Sequence, residues 1–139
     1  MAGTFVQEGL QVLIEAAMRG GTLPSAFQMA LVTDASVAAN GTWSGLTEVS
    51  GTGYSRVAVT ADATGYPTSA ATSTNAWHIK TKNCVFTAGG TWTGAKCAVL
   101  LATVSGNPKI VGWGALAATR TLQNGDTETV SLDLTVTEA

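Results

Sequence analysis

The sequence predicts a mainly β protein, an antiparallel β-sandwich or jelly roll with one N-terminal α-helix. Three observations lead there. Near the C-terminus, Val130, Leu132, Leu134 and Val136 alternate with Thr129, Ser131, Asp133, Thr135 and Thr137, the period of a strand with one buried face. Ser105-Gly106-Asn107-Pro108 and Asn124-Gly125-Asp126 carry the turn chemistry that reverses antiparallel strands. Beyond the first 21 residues no helix pattern alternates with strands, which argues against a parallel α/β sheet.

Taken in order, residues 4–19 carry the helix signal. Thr4-Phe5-Val6-Gln7 fits a capping box, with Thr4 accepting from an early N–H and Gln7 reaching back. Gln7, Glu8, Gln11, Glu15 and Arg19 share one face, while Phe5, Val6, Leu10, Leu13, Ala16 and Ala17 form a wide apolar one. Gly20-Gly21 supplies the stop, so the helical segment spans 4–21 and the β-sandwich 22–139. Strands are expected at Phe27–Val32, Arg56–Val59, Ala95–Val104 and Lys109–Leu116, with the last at 129–137. Ala95–Val104 is apolar on both faces, as in a central strand covered on two sides. Gly112 and Gly114 flank Trp113 and permit a bulge or a close backbone approach. Residues 34–53 and 61–76 hold few bulky apolar groups and read as long surface loops. With neither repeat nor linker, the 139 residues read as a single domain, 1–139.

Composition narrows the function. Only 12% of residues are charged and the net charge is -2, from 7 basic and 9 acidic side chains. Phosphate recognition needs clustered Lys and Arg, so nucleic acid is not an expected partner. The longest strongly apolar run, Cys97–Ala102, falls far short of the roughly 20 residues of a membrane helix, and the start carries no basic segment followed by an apolar one. The reading is a soluble chain made in the cytoplasm, with no membrane partner. In that setting Cys84 and Cys97 are expected to be reduced, buried thiols.

No catalytic constellation emerges. His78 is the single histidine, and a triad would need it beside a serine and a carboxylate such as Asp62 or Asp126, yet no Gly-x-Ser-x-Gly elbow is present. His78, Cys84 and Cys97 supply three potential zinc ligands without the paired spacing of a structural site. Gly51-Thr52-Gly53 lacks the Lys-Ser/Thr of a phosphate loop. Trp43, Trp77, Trp92 and Trp113 would suit a sugar platform, but in a chain with three Phe and two Tyr they fit better as core or subunit anchors. The reading is a non-enzyme without metal or cofactor. Its wide apolar helix face and Thr-rich edges predict a homo-oligomer, a dimer or trimer.

One stretch says more. Thr47-Glu48-Val49-Ser50-Gly51-Thr52-Gly53-Tyr54-Ser55-Arg56-Val57-Ala58-Val59 resembles the segment TEVSGGGYARVAV of small virion structural proteins of tailed bacteriophages. Members of that family open with a short helix and an aliphatic strand, matching 4–19 and Phe27–Thr33. A Phe…Trp pair follows, like Phe86 and Trp92. They end on a WGAL segment, here Trp113-Gly114-Ala115-Leu116, and a Gly-Asp turn, here Gly125-Asp126, before an alternating strand. The resemblance covers about residues 5–137 and departs from the pattern between Tyr66 and Asn83, where a Ser/Thr/Ala-rich insert looks longer.

The resemblance implies a virion structural protein, some members being similar to jelly-roll cement proteins and others labelled tail-fibre proteins. It makes Glu48, Gly51, Gly53, Tyr54, Arg56, Trp92, Trp113, Gly114, Gly125 and Asp126 the motif residues. It also implies a capsid decoration role, binding the major capsid protein on the virion surface, with a tail or fibre role as the alternative. The tryptophans alone motivate the remaining alternative, a carbohydrate-binding module.

Overall fold

A computed structural model describes residues 1–138. In chain order the elements are β1 (Ala2–Phe5), α1 (Gln7–Met18), β2 (Ala26–Val32), a 3-10 turn (Trp43–Gly45), β3 (Val57–Val59), β4 (Thr68–Ser73), β5 (Ala76–Lys80), β6 (Cys84–Thr87), β7 (Trp92–Val104), β8 (Asn107–Leu122), β9 (Thr127–Val130) and β10 (Asp133–Thr137). Eight strands make one sheet in the order β3-β2-β7-β8-β1-β10-β5-β4, and β6 pairs with β9 in a second. The fold is thus mainly β and sandwich-like with an N-terminal helix, as the alternation and turn signals predict.

The long β7–β8 hairpin forms the spine. Ser105 (φ 51°) and Gly106 (φ 80°) both lie in the left-handed region, the requirement of the two-residue turn whose twist matches antiparallel strands. Next to it, β1 joins the two halves of the sheet. It runs antiparallel to β8 (Thr4↔Trp113) and parallel to β10 (Gly3↔Leu134). At this joint the sheet curls, and glycine makes the curl possible. A Cβ on Gly112 would sit 2.7 Å from Leu134 Cδ2, and one on Gly114 would sit 2.8 Å from both Leu132 Cδ2 and the Ala2 carbonyl. Real Cβ atoms do not approach so closely, so β8 must present bare backbone here.

Two cores result, one on each face of β2 and β7. Along β7, Ala98, Leu100 and Ala102 point into the concave core with Met29, Leu31, Val111, Leu132 and Leu134, which β6–β9 closes with Cys84, Phe86 and Val130. Cys97, Val99 and Leu101 point the other way, against Val6, Val32, Val37 and Ile110, with Trp43, Leu46 and Trp113 at the edge. Every one of these β7 residues is 0–1% exposed, which explains why the run Cys97–Ala102 is apolar throughout.

Several boundaries differ from the sequence reading, each for a tertiary reason. The helix runs Gln7–Met18 rather than 4–19, because Thr4 and Phe5 are taken into β1. Thr4 therefore caps nothing. Val6 occupies the cap position with no side-chain hydrogen bond, its N–H donating to the Val111 carbonyl, while the Gln7 N–H donates to Ala39. Strand pairing in a sheet centre outweighs one local cap. The C-terminal alternation is split between two sheets, β9 and β10, at Ser131–Leu132, where Thr81 Oγ1 accepts from the Leu132 N–H at 2.9 Å. Val130, Leu132 and Leu134 are buried but Val136 is 54% exposed, since it lies past the end of the covered face. The expected loop 61–76 contains β4, and the Ser/Thr/Ala-rich stretch after Tyr66 builds the outer β4–β5 hairpin.

Candidate functional site

Eight of the ten motif residues meet at one corner of the sheet. Beyond Met29, β2 has lost β3 as its neighbour, and residues 47–54 take over its hydrogen bonds. Val49 N–H donates to the Leu31 carbonyl, and the Leu31 N–H donates to Tyr54 Oη at 3.0 Å. Tyr54 in turn donates to Glu48 Oε1 at 2.9 Å. Arg56 closes the network with a two-point grip on Glu48, Nε to Oε1 and Nη2 to Oε2, both 2.9 Å. Its guanidinium lies 5.0 Å from the centroid of the Trp43 ring, within cation–π range.

Gly51-Thr52-Gly53 packs flat against the segment from Ala88 to Trp92. The Thr52 carbonyl accepts from Trp92 Nε1 (2.9 Å) and from the Gly89 N–H (3.0 Å). A Cβ on Gly51 would collide with the Trp92 indole, and Gly53 has φ 78°, a conformation glycine takes at little cost. On the other side of the same segment the Gly125-Asp126 turn holds it: Gly125 N–H donates to Ala88, Ala88 N–H donates to the Asp126 carbonyl, and Asp126 Oδ2 accepts from Gln123 N–H. Tyr54 stacks parallel to Phe86 at 6.1 Å and edge-on to Trp92 at 5.2 Å. The structure thus brings together Glu48, Gly51, Gly53, Tyr54, Arg56, Trp92, Gly125 and Asp126. Gly114 lies apart at the β8 curl, and Trp113 packs with the second core.

The electrostatics suit a fastening rather than a reaction. Burial pushes the Tyr54 hydroxyl well above its ordinary range, an effect larger than the opposing hydrogen bond from Leu31 and added to by Glu48. The Glu48 hydrogen bonds push Arg56 up as well. Both groups therefore hold their protons at neutral pH, and both carboxylate oxygens of Glu48 are engaged. No nucleophile or proton shuttle is left among them.

The remaining candidates are dispersed. His78 Nδ1 lies 2.7 Å from Asp133 Oδ1, not beside Asp62 or Asp126, because β5 pairs with β10. Its direct ladder partners are Ala70 and Thr135, so no serine stands opposite it. Asp62 instead caps its own turn, accepting from Thr60 Oγ1, Thr64 N–H and Gly65 N–H. Cys84 and Cys97 are free and buried in different cores, so they neither pair nor converge with His78 on a metal. The tryptophans form no platform: Trp92 is 1% exposed and Trp77 55%, while Trp43 lies beneath Arg56. Sequence reasoning missed the part played by Trp43 and by Ala88–Thr91, since nothing in local spacing ties them to residues 48–56.

No curated protein matches the chain. The family described as podophage GP4 fiber I protein gp80 matches residues 10–137, a span that contains every one of the motif residues assembled above. This chain belongs to the podophage GP4 fiber I protein gp80 family.

Proposed function

We propose that the protein is a non-enzymatic structural subunit of a podophage virion, placed in the tail as a fibre component and acting through protein–protein contacts. The observation that carries this reading is the motif corner, whose polar groups are consumed in holding loop 47–56 to the sheet. Residues fixed this way serve a rigid scaffold. The family's description as a fibre protein supports the tail placement. Homo-oligomerisation belongs to the same reading, since a charge-poor surface lowers the desolvation cost of burying repeated contacts.

A capsid cement role, with the major capsid protein as partner, is the second reading. The same charge-poor surface favours it, as does the resemblance of residues 47–59 to a family with some members similar to cement proteins, and many identical copies on a shell gain by avidity. Immunogold labelling of intact virions separates the two. Gold on the tail is the expected result. Gold distributed over the head would transfer the protein to the cement role, and unlabelled virions that contain no copy of the chain would overturn both readings.

A further inference from the structure

The concave side of the curled sheet holds a cavity of about 490 Å³ that is open to solvent on one side, inside the range of small-molecule sites, roughly 300–1,000 Å³. Its apolar wall is drawn from six strands: Phe5 of β1, Phe27 of β2, Ile79 of β5, Leu100 of β7, Val111 of β8 and Leu134 of β10. A seam between two elements would be lined by those two alone, whereas this space is the inside of the curl. Leu13 of α1 adds a further apolar contact. The gap between the two free edges of the sheet is filled by residues 60–66, where Tyr66 meets Phe27 edge-on at 5.8 Å and 86°.

Polarity is confined to one side. Ser69 and Asp62 join the lining there. Asp62 keeps its carboxylate at that side through the three hydrogen bonds its Oδ1 accepts. Ser69 Oγ accepts from Trp77 Nε1 at 2.9 Å, which tethers a half-exposed indole to a residue of the cavity wall. An anionic group gives up its hydration on entering this apolar space and finds no cation among the described residues of its walls, since the Lys82 charge near the mouth is already opposed by the solvent-exposed Asp62, while a hydrocarbon body meets apolar side chains.

We propose that this cavity is a binding site for an uncharged, mainly hydrocarbon small molecule, a compact ring system or a medium-length alkyl chain, entered from the side of Asp62, Ser69 and Trp77. The inference is independent of where the protein sits in the virion.

The test uses the whole chain and the neutral fluorescent probe N-phenylnaphthylamine, with decanol and decanoate as competitors of equal chain length. Saturable binding of one probe per chain is expected, with displacement by decanol and displacement by decanoate weaker by roughly tenfold or more, because the carboxylate must be desolvated. Asp62→Asn should change that gap little, since the carboxylate it removes is solvent-exposed. Val111→Phe fills the cavity from its floor and Ser69→Leu blocks it from its exposed rim. Each should weaken the probe by roughly tenfold, while Thr135→Ala, on the outer face, leaves it unchanged. Ser69 is on an exposed edge, so its variant remains informative even where Val111→Phe does not fold. Absence of saturable binding, or binding indifferent to Ser69→Leu, would overturn the site. One probe per two chains would assign the binding to a contact between copies instead, and equal displacement by decanol and decanoate would overturn its preference for uncharged ligands.

Discussion

At the scale of single residues, the ion pairs of this charge-poor chain are not equivalent. Glu48 and Arg56 are about a quarter exposed (25% and 28%) and meet through two parallel hydrogen bonds. Arg120 is 50% exposed and Glu128 16%, and one contact of 3.0 Å joins them. Both pairs are partly buried, and planar two-point geometry fixes the charges more firmly than a single contact to a mobile, half-exposed guanidinium does. A double-mutant cycle with Glu48→Gln and Arg56→Gln should give a coupling energy of about 1–2 kcal/mol in urea unfolding, whereas the Arg120–Glu128 cycle should give less than about 0.5 kcal/mol. Equal couplings would show that geometry is not what distinguishes them. Tyrosine makes a pH prediction in the same corner. Burial raises Tyr54 and Tyr66 above their ordinary value of 10.0, so the folded chain keeps protons that the unfolded chain releases. Their stabilisation is complete below pH 10 and is lost as pH climbs from there toward the raised folded values. Thermal melts should show Tm falling above about pH 10, with a shallower fall in Tyr54→Phe.

At the scale of elements, α1 shows a conflict between propensity and packing that can be decided by magnitude. Gly9 is a buried helical residue, and alanine there would gain about 1 kcal/mol of intrinsic helix propensity. Its added Cβ, however, would collide with Val111 Cα and the Ile110 carbonyl, which are strand backbone and cannot rotate aside. Overpacking of this kind costs about 1–3 kcal/mol or more, so packing wins. With contacts this close the overpacking lies at the upper end, so Gly9→Ala should lower the unfolding free energy by a net of about 2 kcal/mol, while Ala17→Gly, on the exposed side, should cost about 1 kcal/mol through propensity alone. The same helix shows what was legible in the sequence. Its existence and its Gly20-Gly21 end followed from spacing and turn chemistry, as did β2, β7, β8 and the Asn124-Gly125-Asp126 turn. Its start did not, because Thr4 and Phe5 are claimed by partners more than a hundred residues away. Glu8 reads as solvent-facing on the polar side of α1, yet its Oε2 accepts from the Ile110 N–H at 2.8 Å. The motif was legible as a list of residues, but not as a corner fastened by Ala88–Trp92, since that contact is made by the fold. The cavity was invisible for the same reason: six of its strands contribute one unremarkable apolar position each.

For the whole molecule, the consequence of this topology is that four residues hold the large sheet together. The half containing β3, β2, β7 and β8 and the half containing β10, β5 and β4 meet only through β1 in the strand order. Each half has its own hairpin, so local pairing survives loss of the joint, but neither half then covers the concave core. Proline at Thr4 removes a backbone donor and imposes its own φ inside a central strand, a position from which proline is excluded. The residue it replaces is paired with Trp113, and its carbonyl lies against Gly112, where an added Cβ would come within 2.9 Å. Thr4→Pro should therefore abolish the single sharp unfolding transition, with tryptophan fluorescence reporting an exposed Trp92 while far-ultraviolet dichroism keeps part of its β signal from the β7–β8 hairpin. A proline at exposed Thr22, between α1 and β2, should leave the transition intact. Coincident loss of both signals in Thr4→Pro would mean that the hairpin has no stability of its own, and an unchanged melt would mean that contacts across the concave core, rather than the β1 ladders, hold the two halves together.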